Sequence, residues 1–411
     1  MECKWVLFLF VVILLTTFGC NTTEPTEPLR ELSSAEAKIV EADNSFGLKL
    51  FKEINTEMAD SNVFISPLSI SMALGMTYNG ARTSTEEAMR TTLEFGDLSM
   101  GGINESYKSL IELLEGIDTD VEFNIANSIW YRDDFTFEQD FFERCRDYFD
   151  ARVSGLDFSQ SEAVKDTINN WVEDNTNGRI KDILNFVSPD AVMFLVNAIY
   201  FNGIWTYQFD EKDTKDESFH LLGGGTKDCK MMEMRSYFKY FEDSLLQAID
   251  IPYGKGNYSM TIILPSYGKD IDELIAGLTK EKWNEWMNGF HEDSVNLFLP
   301  KLKLEYKTDS ILKKVLTDMG MGVAFTGSAD FTGMYGPGGI WIGKIIHKTF
   351  LEVDEEGTEA AAATVIAMES GPGPVTYYPT IFVNRPYIFA IRENHSGAIL
   401  FIGKIIDPVW E

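Results

Sequence analysis

The run Glu355-Glu356-Gly357-Thr358-Glu359-Ala360-Ala361-Ala362-Ala363-Thr364, continued by Val365 to Pro374, constrains this chain more than any other stretch. Read at every second residue, one face carries Thr358, Ala360, Ala362, Thr364, Ile366 and Met368. The other face carries Glu359, Ala361, Ala363, Val365, Ala367 and Glu369. Strand side chains alternate between faces, so the first set is buriable while both charges of the second stay in water. Yet the alanine run forms helices well and strands poorly. Taken alone it reads as an alanine-rich helix. Its alternation fits a second state, a strand whose small side chains slide into a tight slot.

The rest of the chain mixes helical and strand periodicities. Ile39, Ala42, Phe46, Leu50 and Ile54 recur at helical spacing, as do Ile103, Tyr107, Leu110, Ile111 and Leu114. Val121 to Tyr131 alternates as a strand. Ala191 to Tyr200 is almost wholly apolar, as a strand covered on both faces would be. The pattern from Val295 to Leu304 changes parity at Pro300, which predicts a bulge or an edge there. Strands around Ile381, Ile388 and Leu400 finish the chain, the last two joined through Asn394-His395-Ser396-Gly397. No regular βαβ alternation appears, so the fold class is α+β. No Pro- or Ser-rich linker interrupts residues 42–408, and one large domain is expected despite 411 residues.

A series of motifs in fixed order resembles the serpins from about Ala42 to Pro408. They are Asn62-Val63-Phe64-Ile65-Ser66-Pro67-Leu68-Ser69-Ile70, Asn79-Gly80-Ala81 with Thr83, and Asn197-Ala198-Ile199-Tyr200-Phe201-Asn202-Gly203-Ile204-Trp205. Leu299-Pro300-Lys301-Leu302, Ala329-Asp330-Phe331-Thr332-Gly333-Met334 and His347-Lys348-Thr349 follow. Phe382-Val383-Asn384-Arg385-Pro386-Tyr387 and Leu400-Phe401-Ile402-Gly403-Lys404 close the series. The resemblance implies three β-sheets, about eight or nine helices and an exposed reactive loop near residues 355–380. It further implies a monomeric suicide inhibitor of serine or cysteine endopeptidases, whose cleaved loop inserts into the main sheet and traps the acyl-enzyme. Serpin loop insertion is itself a standard example of strand addition and of stored strain released.

Site roles carry over by position. Gly357, Thr358, Glu359, Ala360, Ala361, Ala362, Ala363 and Thr364 match the hinge, with Thr358 entering the sheet first. Ser66, Ser69, Asn197 and His347 match the shutter, a polar cluster beneath the sheet that also reads as a satisfied buried network. Trp205, Lys301 and Glu355 match the breach, where insertion begins. A Lys301–Glu355 pair would be a latch of opposite charges, worth little if exposed. The family's usual spacing from Glu355 puts the cut at Gly371–Pro372, a poor bond for proteolysis because proline has a fixed ring and no N–H. Ser370–Gly371 is therefore the expected reactive bond, with Met368–Glu369 the next candidate. No Arg or Lys lies between Thr358 and Tyr378, which points to elastase-like or subtilisin-like targets. A non-inhibitory serpin, acting as a binding or structural protein, is the rival class; Pro372 and Pro374 favour it and the alanine hinge opposes it.

Charge and composition exclude other partners. The net charge of −29 repels nucleic acid and anionic membrane surfaces. It also argues against heparin-type polyanions, since the helix of Ile103 to Ile117 sets Glu105, Glu112 and Glu115 against Lys108 alone. Lys4 and the apolar run Trp5 to Leu15 read as an export signal over residues 1–19. Thr16-Thr17-Phe18-Gly19-Cys20 resembles a bacterial lipobox, so the product is lipid-anchored through Cys20 or secreted with Cys20 unmodified. Residues 20–41 then form a polar tether. Cys145 and Cys229 lie far apart in sequence and read as separate thiols, with one bridge the alternative.

Enzyme chemistry finds no footing. The four histidines, His220, His291, His347 and His395, form no His-Glu-x-x-His helix, and no Gly-x-Ser-x-Gly elbow occurs. Gly338-Gly339-Ile340-Trp341-Ile342-Gly343-Lys344 falls short of a phosphate loop because Ile345 stands where a hydroxyl should ligate magnesium. That tract reads instead as a loop entering a strand. No catalytic residue, metal or cofactor is expected.

Overall fold

The hydrophobic periodicities become nine α-helices and fifteen strands among the described residues of the computed structural model, which are 29–188, 190–308, 310–358 and 378–410. In chain order they are α1 (Ser34–Glu57), β1 (Val63–Ile65), α2 (Pro67–Tyr78), α3 (Thr83–Thr92), α4 (Met100–Gly116) and β2 (Val121–Arg132). Then come α5 (Gln139–Phe149), β3 (Arg152–Leu156), α6 (Ser161–Asn175), β4 (Met193–Ile204), β5 (Lys215–His220) and β6 (Thr226–Glu242). β7 (Leu246–Tyr253), β8 (Tyr258–Pro265), α7 (Ile271–Ala276), α8 (Lys280–Gly289), β9 (His291–Pro300) and β10 (Leu302–Thr308) follow. α9 (Ser310–Leu316), β11 (His347–Val353), β12 (Gly357–Thr358), β13 (Thr380–Phe382), β14 (Tyr387–Glu393) and β15 (Ile399–Ile405) complete the list.

These elements form three sheets, as the α+β reading expects. The largest runs β1-β15-β14-β8-β7-β6-β9-β13, with β5 paired to β6. A second runs β12-β4-β2-β3, and the third is the antiparallel pair β10-β11. The parity change at Pro300 marks where the chain leaves the largest sheet in β9 and enters the pair in β10. β4 is covered on both sides. Ile199 and Phe201 join the main core on one side. On the other, Val196 and Ala198 pack with Trp130, Ile168, Trp171 and Val172, from β2 and α6, in a separate cluster.

Local signals explain the helix starts. Ser33 caps α1 in a reciprocal box with Glu36, which satisfies two orphan donors at once. The helix thus begins eight residues before the domain boundary expected at residue 42, and residues 34–41 are helical, not tether. Ser66 caps α2, with Pro67 in the first turn where its missing N–H costs nothing. Gly338 and Gly339, both at positive φ, lie in the loop that leads into β11. Cys145 and Cys229 are separate buried thiols. No helix among the described residues is long and apolar enough to cross a membrane. The export signal, Cys20, hinge residues Glu359 to Thr364 and the bond candidates Met368 to Pro372 lie outside the described residues.

Candidate functional site: an unpaired gap between two strands

β4 and β11 run alongside each other without a ladder between them. At one end the gap is already closed. The chain leaves β11 at Val353, turns through Asp354–Gly357, and starts back as β12 against β4, pairing Gly357 with Ile204 and Thr358 with Gly203. Asp354 holds this turn: its N–H donates to the Gly357 carbonyl at 3.0 Å, and its Oδ1 accepts from the N–H of Glu356 and of Gly357. Gly357 has no room for a side chain, because a Cβ would sit 2.2 Å from the Gly203 carbonyl oxygen and 2.7 Å from Ile204 Cα. Thr358 is 3% exposed, and its hydroxyl shares a 2.6 Å hydrogen bond with the Tyr253 hydroxyl beneath the sheet. Gly357 and Thr358 are therefore both already paired with β4.

Trp205, Lys301 and Glu355, the residues expected at the breach, converge on that turn. Trp205 donates from Nε1 to the Asp354 carbonyl at 2.9 Å and stacks on Tyr253 with ring centroids 4.3 Å apart. Lys301 reaches Glu355 at 2.5 Å and lies 4.2 Å from the centre of the Trp410 ring. Thr214 donates to the other Glu355 oxygen at 2.7 Å. The latch expected at the surface is in fact buried, Glu355 being 5% exposed. Burial pushes the Glu355 pKa upward, but hydrogen bonds from Lys301 and Thr214 outweigh it and hold the carboxyl below its ordinary value. Removing one partner would strand a buried charge, a much costlier event than breaking a surface pair.

At the other end the gap is open. A cavity of about 480 Å³ lies between β4 and the loop entering β11, floored by Ile70, Ala73 and Leu74 of α2. Ser69, Asn197 and His347 line it together. Ser66 joins three strand and helix ends: its N–H donates to His347 Nε2 at 3.0 Å, its Oγ donates to the Leu400 carbonyl at 2.7 Å, and that Oγ accepts from Ser69 N–H. His347 is deeply buried, and desolvation alone lowers its pKa from 6.5 to about 3, so the ring is neutral and accepts at Nε2. Asn197 belongs to the same cavity but to a different network. It donates to Asn127 on the neighbouring strand at 2.8 Å, and its Oδ1 has no partner among the described residues.

The sequence-predicted residues thus form two clusters, Trp205, Lys301 and Glu355 at the closed end and Ser66, Ser69 and His347 at the open end. Asn197 faces the latter across the cavity. Sequence reading missed Tyr253, Thr214, Asp354 and Trp410. The bridge to Trp205 brings in Tyr253, Glu355 brings in Thr214, Lys301 brings in Trp410, and Asp354 enters through the turn it shares with Glu355. No group of three His, Cys, Asp or Glu residues among the described residues is arranged to hold a metal ion.

Comparison with known proteins accords with this architecture. The family model for serpins, the serine protease inhibitors, matches residues 41–408. Human serpin B3 is 32% identical over 90% of this chain and 99% of its own length. An uncharacterised serpin-like protein of Thermococcus kodakarensis is 34% identical over 94% of this chain and 90% of its own. Among solved structures, the thermophilic serpin tengpin in its native state is 32% identical with a TM-score of 0.80, covering 92% of this chain and 96% of its own. Human thyroxine-binding globulin superposes with a TM-score of 0.84 at 28% identity, covering 92% and 100% of the two chains. The chain belongs to the serpin family.

Proposed function

We propose that this serpin is an inhibitory member that traps endopeptidases by inserting its cut loop into the gap between β4 and β11. The observation that carries this reading is the register of β12. Continuing from Thr358↔Gly203 takes Ala360 to Phe201, Ala362 to Ile199, Thr364 to Asn197, Ile366 to Leu195, and Met368 to Met193, where β4 begins. The small and apolar face of the loop would follow Thr358 into the core, and Glu359 and Glu369 would stay on the opposite face. Thr364 would arrive beside Asn197 Oδ1, the acceptor without a partner. An arm of this length gains on the order of ten net hydrogen bonds at roughly 1 kcal/mol each. Burial of Ile366 and Met368 adds about 1.5–3 kcal/mol apiece.

The same register supports Ser370–Gly371 as the reactive bond. Cutting after Met368 would leave the attached protease at the residue that must still fill the end of β4. Cutting after Ser370 leaves two residues beyond it. Elastase-like or subtilisin-like enzymes with small pockets suit Ser370, and the export signal suits an extracellular or surface-anchored site of action. Mixing the protein with such proteases and resolving the products by SDS electrophoresis and mass spectrometry tests both points. An SDS-stable adduct bearing a fragment cut after Ser370 is expected. Clean cleavage with no adduct would favour the rival, a ligand-carrying serpin, to which the likeness to thyroxine-binding globulin lends support.

A further inference from the structure

Asp43, which the inhibitory mechanism does not use, sits on α1 where that helix meets α2 and α4. It is 4% exposed and pairs with no basic residue among the described residues. Its Oδ1 contacts the Ser71 hydroxyl of α2 and, at 2.8 Å, the Tyr107 hydroxyl of α4. Those two hydroxyls lie 2.7 Å from each other, closing a triangle of oxygens. Asp43 Oδ2 is buried with no partner among the described residues.

Counting protons decides the state of this triangle. Three oxygen–oxygen contacts need three hydrogens. An ionised carboxylate brings none, so the two hydroxyls must serve three edges, and one edge becomes a close contact of lone pairs. A carboxyl proton on Oδ1 completes the ring, each oxygen donating once and accepting once. It also leaves Oδ2 as a neutral carbonyl, whose burial without a partner costs less than that of a half-charged oxygen. We infer that Asp43 is a protonated acid in the folded protein and that its ring with Ser71 and Tyr107 is a pH-sensitive clasp joining α1, α2 and α4.

Among the described residues, Ser71 and Tyr107 are the side chains hydrogen-bonded to Asp43. Tyr107 is held neutral, its pKa raised by burial and by Asp43, with Phe95 and Phe149 against its ring. Asn79 of α2's end and Asn104 of α4 bond to each other. On α1, Lys38, Glu41 and Lys49 are engaged at the surface by Asp97, Lys280 and Glu94, and Glu36 serves the cap. Burial raises the Asp43 pKa from 3.8 to about 7, opposed by its hydrogen bonds with Ser71 and Tyr107. The folded state then keeps a proton that the unfolded chain gives up near pH 4, so stability falls as pH rises between those values and is flat above. α2 also carries Ser66 and Ser69, so charging Asp43 loosens the helix that floors the open end of the gap.

Asp43→Asn, a neutral isostere with its own N–H donor, tests this. The melting temperatures of variant and wild type should diverge between about pH 4 and about pH 7, by about a tenfold change in unfolding constant per pH unit, and stay parallel above. Infrared spectra of the wild type at about pH 5.5, where ordinary carboxyls are ionised, should show a protonated-acid carbonyl band that Asp43→Asn lacks. Ser71→Ala, which keeps the acid but breaks the ring, should shift that band, so the test survives if Asp43→Asn does not fold. Parallel pH profiles, or a spectrum whose acid band is missing or untouched by either substitution, would overturn the inference.

Discussion

The two ends of the β4–β11 gap differ in what fills them. At the closed end Asp354 Oδ1 accepts from two N–H groups of the turn, and the Thr358 hydroxyl is bonded to that of Tyr253. At the open end a cavity of about 480 Å³ remains, and Asn197 Oδ1 lacks a partner among the described residues. The difference gives the gap a direction. On the proposed mechanism a strand entering it would meet a completed start and an uncompleted finish, so the free-energy gain would lie ahead of Thr358 and not at it. Gly357 and Thr358 are thus already in register with β4 at the closed end.

The largest break in this contrast should come from Thr358→Arg. A cation forced into a 3% exposed site beneath the sheet reverses β12 and blocks the entrance. A penalty of a few kcal/mol slows insertion by roughly a hundredfold. Stopped assays should record the loop cut as an ordinary substrate, with the SDS-stable adduct almost gone. Next is Lys301→Met, which leaves Glu355 buried against Thr214 alone; denaturant unfolding should register a loss of about 3 kcal/mol. The double variant Lys301→Met with Glu355→Gln should recover much of it.

At the open end the expected effect per pH unit is smaller, and it turns on pH. The folded pKa of His347, about 3, lies below its unfolded 6.5, so its contribution is whole above pH 6.5 and drains as pH falls towards 3. His347→Gln should flatten the acid side of the stability profile by about 1.4 kcal/mol per pH unit, whereas Asp43→Asn removes a slope of the opposite sign. Smallest of all is Thr364→Val. It should leave the intact protein unchanged and lower the stability of the cut form by about 1 kcal/mol, through the lost hydrogen bond to Asn197.

How much of this was legible in the sequence varies with how local its cause is. Periodicity located α1, α4, β2 and β4, because burial on one face or both is written in neighbouring residues. Motif order located both clusters of the site, since Trp205, Lys301, Ser66 and His347 each stand in distinctive company. What stayed hidden is pairwise geometry between distant segments. Nothing around Glu355 announces that Lys301, Thr214 and the fold bury it, and so the latch read as a weak surface pair. Tyr253 looks like any strand tyrosine until Thr358 is placed above it. The helical start at Ser34 was concealed by polar residues that suit a tether equally well.

The central claim is that the native protein is held short of its most stable state, with the unfilled gap storing the difference. The most direct measurement compares thermal unfolding of the intact protein with that of protein nicked within residues 359–377. Insertion of the freed arm should raise the midpoint of the nicked form well above that of the intact one. A nicked form that melts at or below the intact midpoint would contradict the account.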